Sequence, residues 1–185
     1  MKEYNLRLAV PSDFPALARL WEFVFGDGKD FTDEFFRVMW VPGCCHVAEA
    51  DNEIVSMGFC LTGPVAGGYK CGYIYAMATY PEHRGNGLAA KIGRALVSSA
   101  FENGSDIVAT LPAEESLNVW YETRLDMIPT FKKGGEGVVF PANWRSFAAF
   151  CGEHDPSTPN ILLAVARPGA SLSRVNGLGW EITFD

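Results

Sequence analysis

Apolar and polar residues alternate near the start of the chain, and apolar residues then recur at the spacing of a helix. This change of period predicts a strand followed by two helices. Apolar side chains occupy every second position of residues 4–10, as in a strand with one buried face. A helix follows Ser12-Asp13, which offers an N-cap, and ends at Gly26. A second helix begins at Thr32-Asp33 and ends before Pro42-Gly43. The pattern therefore predicts one strand and two amphipathic helices.

The rest of the chain continues to alternate between strands and helices. Residues 44–50 and 53–61 are predicted to form a hairpin around the turn Asp51-Asn52, and a glycine-rich loop is expected over residues 62–72. Further strands are predicted over residues 73–80, 107–111, 138–140, 161–166 and 180–184, and helices over residues 88–103 and 112–127. This order predicts a mixed α/β fold without internal repeats.

Composition narrows the class of protein. The chain has 185 residues, 48% of them hydrophobic and 20% charged, which suits one folded domain. Its formal net charge of −7 disfavours nucleic acid as a partner, because phosphate backbones bind clustered Lys and Arg. No apolar run approaches the roughly 20 residues that cross a bilayer, so no membrane association is expected. The N-terminus also lacks the apolar core of an export signal.

The five cysteines are an odd number without CxxC spacing, which predicts reduced thiols and a cytoplasmic location. Cys44, Cys45 and His46 stand side by side. Adjacent residues of a strand point to opposite faces, so this group predicts no metal site.

The most informative stretch joins the strand over residues 73–80 to the helix that opens at Leu88. Gly85 and Gly87 lack Cβ atoms and let an anion approach the main chain. The first amides of the helix have no intrahelical partner, and the helix dipole adds partial positive charge. Arg84 can orient the turn or contact the anion itself. The turn is therefore a candidate pyrophosphate site, with an ordinary glycine turn as the alternative.

Two common nucleotide-binding motifs do not fit these glycines. A Walker loop requires Lys and then Ser or Thr after a glycine, whereas Leu88 follows Gly87. The dinucleotide fingerprint fits only in its alanine variant, at Ala90, and lacks a matching strand–helix–strand unit. The segment from Arg84 to Ala89 instead resembles the acyl-coenzyme A loop of the GNAT superfamily of N-acetyltransferases, Gln/Arg-x-x-Gly-x-Gly/Ala. The preceding Ala-Thr-Tyr-Pro-Glu-His and the element order over residues 4–140 are also similar to that family.

The resemblance implies a mixed, mostly antiparallel central sheet with helices on both faces. Residues 1–140 would form the acyltransferase domain, and residues 141–185 a C-terminal extension with extra strands, an acceptor pocket or a dimer surface. The implied reaction moves an acetyl group from the cosubstrate acetyl-CoA to a primary amine of a small molecule or peptide, without a metal. The residues implied to bind the cosubstrate are Met77, Ala78 and Thr79 on the strand and Arg84, Gly85, Asn86, Gly87, Leu88 and Ala89 in the loop.

Tyr121 is the catalytic residue that the resemblance implies. It lies in a segment, residues 111–122, that is similar to the family helix whose tyrosine sits beside the thioester sulfur. A neutral phenol there can protonate the departing thiolate, and a positioned general acid typically contributes about 10²–10⁴-fold to the rate. A core aromatic on an amphipathic helix is the alternative for the same residue.

The chain departs from the family in two ways. Glu-Thr-Arg-Leu-Asp-Met follows Tyr121 where the family has a Gly-Phe pair, and the strand over residues 73–80 carries no Asp or Glu to act as general base. An amine of pKa near 10.4 is mostly protonated at pH 7, so a base is still needed. The candidates are Tyr73 or Tyr75 through a water, Asp33 or Glu34, or bulk water. The histidines, His46, His83 and His154, are weaker candidates, and His83 is expected to be a surface imidazole.

Other interpretations stay open. Cys60 or Cys71 could act as a nucleophile, although neither has a neighbouring His in the sequence. The missing strand carboxylate supports a second class of function, a non-catalytic acyl-CoA sensor or interaction module. Aromatic residues of the two N-terminal helices suggest an apolar or aromatic amine as acceptor, and core packing explains them equally well. These residues are Trp21, Phe25, Phe35 and Trp40.

Overall fold

One sheet runs through the protein in a computed structural model that describes residues 2–152 and 155–185. Its strands are Asn5–Leu8 (β1), Cys45–Ala50 (β2), Glu53–Ala66 (β3), Tyr69–Thr79 (β4), Ile107–Thr110 (β5), Ile128–Lys133 (β6), Val138–Val139 (β7), Ile161–Ala166 (β8) and Gly179–Trp180 (β9). The order across the sheet is β1-β2-β3-β4-β5-β8-β6-β9, with β7 paired to β3. The pairs β4–β5 and β6–β9 are parallel and the others antiparallel, so the predicted mixed, mostly antiparallel sheet is confirmed.

Five α-helices cover the two faces of this sheet. They are Phe14–Phe25 (α1), Lys29–Met39 (α2), Leu88–Glu102 (α3), Asn118–Leu125 (α4) and Ala142–Cys151 (α5). Helices α1, α2 and α5 bury an aromatic core on one face, centred on Trp21, Phe35 and Trp144. Helices α3 and α4 bury a smaller aliphatic core on the other face, around Ile92 and Leu125. The expectation of helices on both faces is thereby confirmed.

Strands β4 and β5 separate part of the way along their length. They pair from Cys71–Ile107 to Ile74–Thr110, and β5 then ends. Beyond Ile74, β4 continues to Thr79 and is paired only with β3. One edge of β4 therefore carries main-chain groups without a neighbouring strand, which is where an extended ligand can add hydrogen bonds.

A bulge lies on β4 at the same place. Phe59 pairs with Tyr75 and Met57 with Ala78, so β4 has one residue more than β3 between these pairs. The extra residue brings Ala76 to a φ of +50°, in the left-handed region that is unfavourable for a residue with a Cβ. The bulge therefore redirects β4 where its partner β5 ends.

The prediction of a loop over residues 62–72 is wrong. Strand β3 continues to Ala66 and β4 begins at Tyr69, with Gly67 and Gly68 in the turn at φ values of +55° and +86°. Gly63 and Pro64 are unfavourable in a regular strand, so the sequence does not predict that β3 continues through them. In the structure they lie in an irregularity of the β3–β4 register between Thr62 and Val65.

Several boundaries also differ from the predicted ones. Helix α2 begins at Lys29 rather than at Thr32-Asp33, because the extended Gly28 precedes it and the Thr32 hydroxyl donates to the Lys29 carbonyl. The segment 112–127 is helical only over α4, which a short 3₁₀ turn precedes. The sequence patterns missed α5 and β6 altogether, and the strand predicted over residues 180–184 ends at Trp180.

The side-chain N-cap predicted at Ser12-Asp13 does not form, and Asp13 makes other contacts instead. The Asp13 side chain makes no cap to α1. Its carboxylate accepts hydrogen bonds from the Val10 amide and from Arg7, whose guanidinium also binds Glu49 on β2. These contacts lower the pKa of Asp13, with the Arg7 hydrogen bond as the largest cause. The result is a link between β1, β2 and the start of α1.

Residues 141–185 are continuous with the main sheet. Strand β8 lies between β5 and β6, and β9 lies at the sheet's edge beside β6. After β9 the chain passes over β4, where the hydroxyls of Tyr73 and Tyr75 donate to the carbonyls of Thr183 and Phe184 at 2.9 and 3.1 Å. Lys133 and Asp185 then form an ion pair. We call residues 181–185 the C-terminal segment.

Among the helices of the described residues, none combines the length and the apolar character that a bilayer crossing requires.

We expect Lys133→Met to destabilise the protein by about 3 kcal/mol at pH 7, because it removes the ammonium that Lys133 supplies to a mostly buried carboxylate. Only 12% of the Lys133 side chain and 9% of the Asp185 side chain are exposed. Burial raises the pKa of Asp185, but hydrogen bonds from Lys133, Thr158 and Thr183 outweigh it and lower the pKa to about 2. The contribution of the pair should therefore be complete above pH 4 and fall as the pH approaches about 2.

Urea unfolding at pH 7 and pH 3 measures this difference, with Lys132→Met as the control on an exposed lysine of the same strand. A loss below about 1 kcal/mol at pH 7, or one equal to that of the control, would show that the ion pair does not hold the C-terminal segment.

Candidate functional site

Two cavities lie at the two ends of the open β4 edge. A cavity of about 390 Å³ reaches the edge at Thr79 and lies against the glycine turn and α3; we call it the basic cavity. A second cavity of about 320 Å³ reaches the edge at Ala76 and Met77; we call it the aromatic cavity. The four residues 76–79 therefore connect the two cavities, and a ligand along this edge would have one end in each.

The basic cavity concentrates positive charge in an acidic protein. The cationic side chains that line it are Arg84, Lys91, Arg94 and Arg124. No carboxylate is found among its described lining residues. Because the chain carries a formal net charge of −7, this local excess of cations attracts an anion to one place.

The glycine turn gives the anion access to main-chain amides. Gly85 and Gly87 have φ values of +79° and +72°, and a Cβ at either position would meet nothing within 4 Å. Gly87 is the residue before α3 and makes no side-chain cap, so the first amides of this 15-residue helix have no intrahelical partner. A left-handed glycine turn at a helix N-terminus is well suited to phosphate oxygens.

The remaining side chains of the turn hold it in shape. The Arg84 Nε donates to the Thr79 carbonyl at 3.1 Å, and the Asn86 amide donates to the carbonyls of His83 and Arg84. The expectation that His83 is a surface imidazole is wrong, because it is only 7% exposed and hydrogen-bonds with the Tyr4 hydroxyl. These contacts make Arg84, Asn86 and His83 part of the frame of the turn.

The main chain of β4 alternates in direction along the edge. The Tyr80 amide donates to Val55 of β3, and the Ala78 carbonyl accepts from the Ser56 hydroxyl on the same strand. Successive residues of a strand direct their N–H and C=O groups to opposite sides. The groups of Met77 and Thr79 therefore face the open edge, whereas those of Ala78 face β3.

Helix α4 places Tyr121 at the aromatic cavity and Trp120 and Arg124 at the basic cavity. Burial raises the pKa of Tyr121, and the neighbouring Thr110 hydroxyl partly offsets that rise. Thr110 donates its hydroxyl proton to the Ile74 carbonyl at 3.2 Å. The phenol is therefore neutral at pH 7 and lines the cavity where β4 and β5 separate, so it can donate a proton there.

One buried polar atom beside Tyr121 lacks a partner. The Oδ1 of Asn118, three residues before Tyr121 on α4, is buried and has no hydrogen-bond partner among the described residues. An unsatisfied buried acceptor is costly, and a ligand with an N–H group would satisfy it. Together with the open edge and the cationic glycine turn, this acceptor fits an extended ligand with amide groups and a phosphorylated end, as in coenzyme A. Asn118 was not among the residues predicted from the sequence to bind a ligand.

The structure argues against the side chains that were predicted as general bases. Burial raises the pKa of Tyr73 and Tyr75, and both hydroxyls are donors to the C-terminal segment, so neither phenol is suited to accept a proton. Asp33 and Glu34 pair with Lys29 and Arg37 and lie outside the aromatic cavity. His46 hydrogen-bonds with Ser99 at 2.9 Å, also away from that cavity. His154 lies outside the described residues.

The aromatic cavity does contain carboxylates that the sequence analysis missed. Asp27, from the connection between α1 and α2, and Asp185 of the C-terminal segment both line it. Trp21 and Phe25 line it as well, whereas Phe35 and Trp40 belong to the core. No sequence pattern marks Asp27, because it follows the glycine that ends α1 and lies far along the chain from the other cavity residues.

The cysteine alternative has no support in the geometry. Cys60 and Cys71 are buried, and desolvation raises the pKa of each to about 12. Neither lines the basic or the aromatic cavity. Within the residues that the structure describes, no group of three or more His, Cys, Asp or Glu side chains could hold a metal ion.

Solved structures with the same architecture are N-acetyltransferases and related proteins. A GNAT family N-acetyltransferase (YhbS) from Escherichia coli, in complex with CoA, superimposes with a TM-score of 0.68 and 14% identity, over 98% of this chain and 91% of that chain. Arabidopsis thaliana Naa50, in complex with the bisubstrate analogue CoA-Ac-MVNAL, gives a TM-score of 0.62 and 10% identity, over 89% of this chain and 99% of that chain.

A probable N-acyltransferase from Enterococcus faecalis V583 gives a TM-score of 0.60 and 15% identity, over 70% of this chain. The match spans 33% of the Enterococcus chain and 44% of the chain of a putative acetyltransferase from Pyrococcus horikoshii. At these identities the likeness concerns the fold. No curated protein matches the chain.

The family model described as an acetyltransferase (GNAT) domain matches residues 5–119, more than half of the chain. The protein therefore belongs to the GNAT acetyltransferases, as the resemblance of residues 84–89 predicted. Tyr121 and the C-terminal segment lie beyond the matched residues.

We expect Ala76→Gly to leave the free energy of unfolding within about 0.5 kcal/mol of the parent. Relief of the left-handed strain at Ala76 offsets the greater entropy of glycine in the unfolded chain. The matched change Ala78→Gly, two residues along the same strand, should cost about 1.5 kcal/mol, because it removes a buried methyl from regular extended backbone. Urea denaturation of the two variants tests the bulge, and equal losses would contradict a left-handed Ala76.

Proposed function

We propose that the protein is an enzyme that transfers an acetyl group from acetyl-CoA to a primary amine by direct attack. The observation that carries this proposal is the open β4 edge, with a cationic glycine turn at one end and a neutral phenol at the other. Membership of the GNAT acetyltransferases supports acetyl transfer in general. The bound CoA of the E. coli relative supports the same cosubstrate here.

The residues of the chain would share the binding of acetyl-CoA as follows. The amides of residues 84–89 and the side chains of Lys91 and Arg94 would hold its phosphates. The main-chain groups of Met77 and Thr79 would hydrogen-bond its pantetheine arm, and Asn118 Oδ1 would accept an amide N–H from it. When bound, acetyl-CoA supplies the acetyl group as an activated thioester.

As the amine nitrogen bonds to the thioester carbon and the C–S bond breaks, Tyr121 would donate a proton to the leaving thiolate. The proton that the amine loses would pass to bulk water, from which the phenol is reprotonated. The raised pKa of Tyr121 keeps the phenol protonated at neutral pH, so a donor is available during the transfer. A main-chain N–H of the open edge would stabilise the negative charge that develops on the thioester oxygen. The buried, protonated cysteines support direct attack by the amine without a covalent enzyme intermediate.

The acceptor would enter through the aromatic cavity, where the C-terminal segment supplies one wall. Both a small-molecule amine and a peptide amine are compatible with a GNAT fold, and the peptide-like analogue bound to Naa50 is an example of the second kind. A cytoplasmic location and a homodimer stay predictions from the sequence.

We expect Gly87→Val to weaken CoA binding by at least about tenfold, because a branched side chain would stand where phosphate oxygens approach the turn. Gly104→Val is a matched control, since Gly104 also has a positive φ, +95°, and open space around a Cβ, at the other end of α3. Isothermal titration with CoA and with acetyl-CoA measures the effect. Absence of binding to the parent at millimolar ligand would refute the proposed function, and equal loss in both variants would refute the site.

We expect Tyr121→Phe to lower kcat for acetyl transfer by about 10²-fold or more, while the Kd for CoA stays within twofold of the parent. The control Tyr69→Phe removes a hydroxyl that accepts from the Ser171 amide, away from both cavities. The measurement is thiol release from acetyl-CoA across a library of amines. CoA binding without turnover on any amine would favour the sensor, and an unchanged kcat in Tyr121→Phe would remove this residue from the chemistry.

A further inference from the structure

Asp27 sets the charge of the aromatic cavity. Asp27 and Asp185 are the charged side chains among the described residues that line it, and no Lys, Arg or His is found in that lining. Asp185 is neutralised by Lys133. Asp27 makes no ion pair with any residue that the structure describes, so its negative charge is available to a ligand.

Asp27 is also held in a fixed place at the cavity wall. Its Oδ2 accepts a hydrogen bond from the Trp21 indole N–H at 2.9 Å. Trp21 is 1% exposed and its ring lies against Tyr75, at 5.7 Å between ring centroids. A buried indole therefore orients one carboxylate oxygen, while the second oxygen can accept a hydrogen bond from a ligand.

The walls around this carboxylate are aromatic. Trp21, Phe25, Tyr75 and Phe184 line the same cavity. Aromatic faces attract cations, and a carboxylate beside them adds a charge-assisted hydrogen bond. The volume of about 320 Å³ is at the small end of ligand pockets, which suits a compact ligand.

We propose that the aromatic cavity selects small acceptors that carry a positive ammonium group on an aromatic or apolar body, and that Asp27 is the residue that binds this ammonium. The inference rests on the proposed function, because it names the acceptor class of the same site. At neutral pH most primary amines are cations, so the carboxylate draws their predominant form to the open edge. There the bound ammonium would lose a proton to water before the neutral amine attacks the thioester. Neutral analogues of the same shape lack this attraction.

Titration of the CoA-saturated protein with 2-phenylethylamine and with its neutral analogue 2-phenylethanol tests the inference. CoA carries no acetyl group, so binding is measured without turnover. We expect the amine to bind at least about tenfold more tightly than the alcohol. Equal affinities of the two ligands would overturn the inference. Absence of binding by either ligand at concentrations up to about 10 mM, where even a weak site would bind, would also overturn it.

Asp27→Asn removes the charge and keeps an oxygen that can accept the Trp21 N–H. In this variant we expect amine binding to weaken by at least about tenfold, while the Kd values for 2-phenylethanol and CoA stay within about twofold. Asp30→Asn, a nearby exposed acid of α2 outside the cavity, is the matched control and should bind the amine like the parent. Unchanged amine binding in Asp27→Asn would overturn the role of Asp27.

Failure of the proposed acetyl transfer can be distinguished from failure of the ammonium site at Asp27. Loss of the proposed function would appear as absence of CoA binding, and the amine titration can then be repeated on the protein alone. If the protein acetylates amines and the Asp27→Asn substitution does not change amine binding, the proposed acetyl transfer stands and the ammonium site is refuted.

Discussion

The separation of β4 from β5 beyond Ile74 is the constraint on which the site depends. A parallel pair must end before a ligand can take the place of a strand, and here β5 ends at Thr110. The Thr110 hydroxyl donates to the Ile74 carbonyl at the last pair of the ladder, and Thr110 and Tyr121 line the same cavity. The bulge at Ala76 then turns β4, with a backbone conformation that costs about 1 kcal/mol and that the β3 pairing must maintain.

The two ends of the open edge differ in charge, and this difference gives the site a direction. The basic cavity has four cations and the free amides of α3, whereas the aromatic cavity has carboxylates and no described cation. In the proposed complex, a ligand with phosphates at one end and an acyl group at the other would lie along residues 76–79 with its phosphates in the basic cavity. Its acyl end would then be directed to Tyr121 and to the aromatic cavity, so the difference in charge would help to position the reacting groups.

The sequence predicted the parts of the fold and site that depend on local chemistry. The glycine turn, α3 and the Asp51-Asn52 hairpin follow from backbone conformations that neighbouring residues specify, and Asp51 and Asn52 both have positive φ. Contacts between distant residues left no local signal. Strand β8 enters the sheet between β5 and β6, and Pro129 and Lys132 obscured the alternation of β6. Asp27 and Asp185 are brought to one cavity from opposite ends of the chain, and only tertiary packing could show this.

The division of the site between two parts of the chain explains why its two halves differ in predictability. The loop and the β4 edge lie within residues 5–119, the region that the GNAT model matches, and the proposed phosphate recognition there would use main-chain geometry. The wall opposite Trp21 comes from the C-terminal segment, which is held by Tyr73, Tyr75 and Lys133. By occupying the two phenols as donors, this segment removes them as proton acceptors and leaves carboxylates as the anionic groups of the aromatic cavity. In the proposed reaction, acceptor binding would therefore depend on tertiary contacts of the C-terminal segment, whereas cosubstrate binding would depend on a local motif.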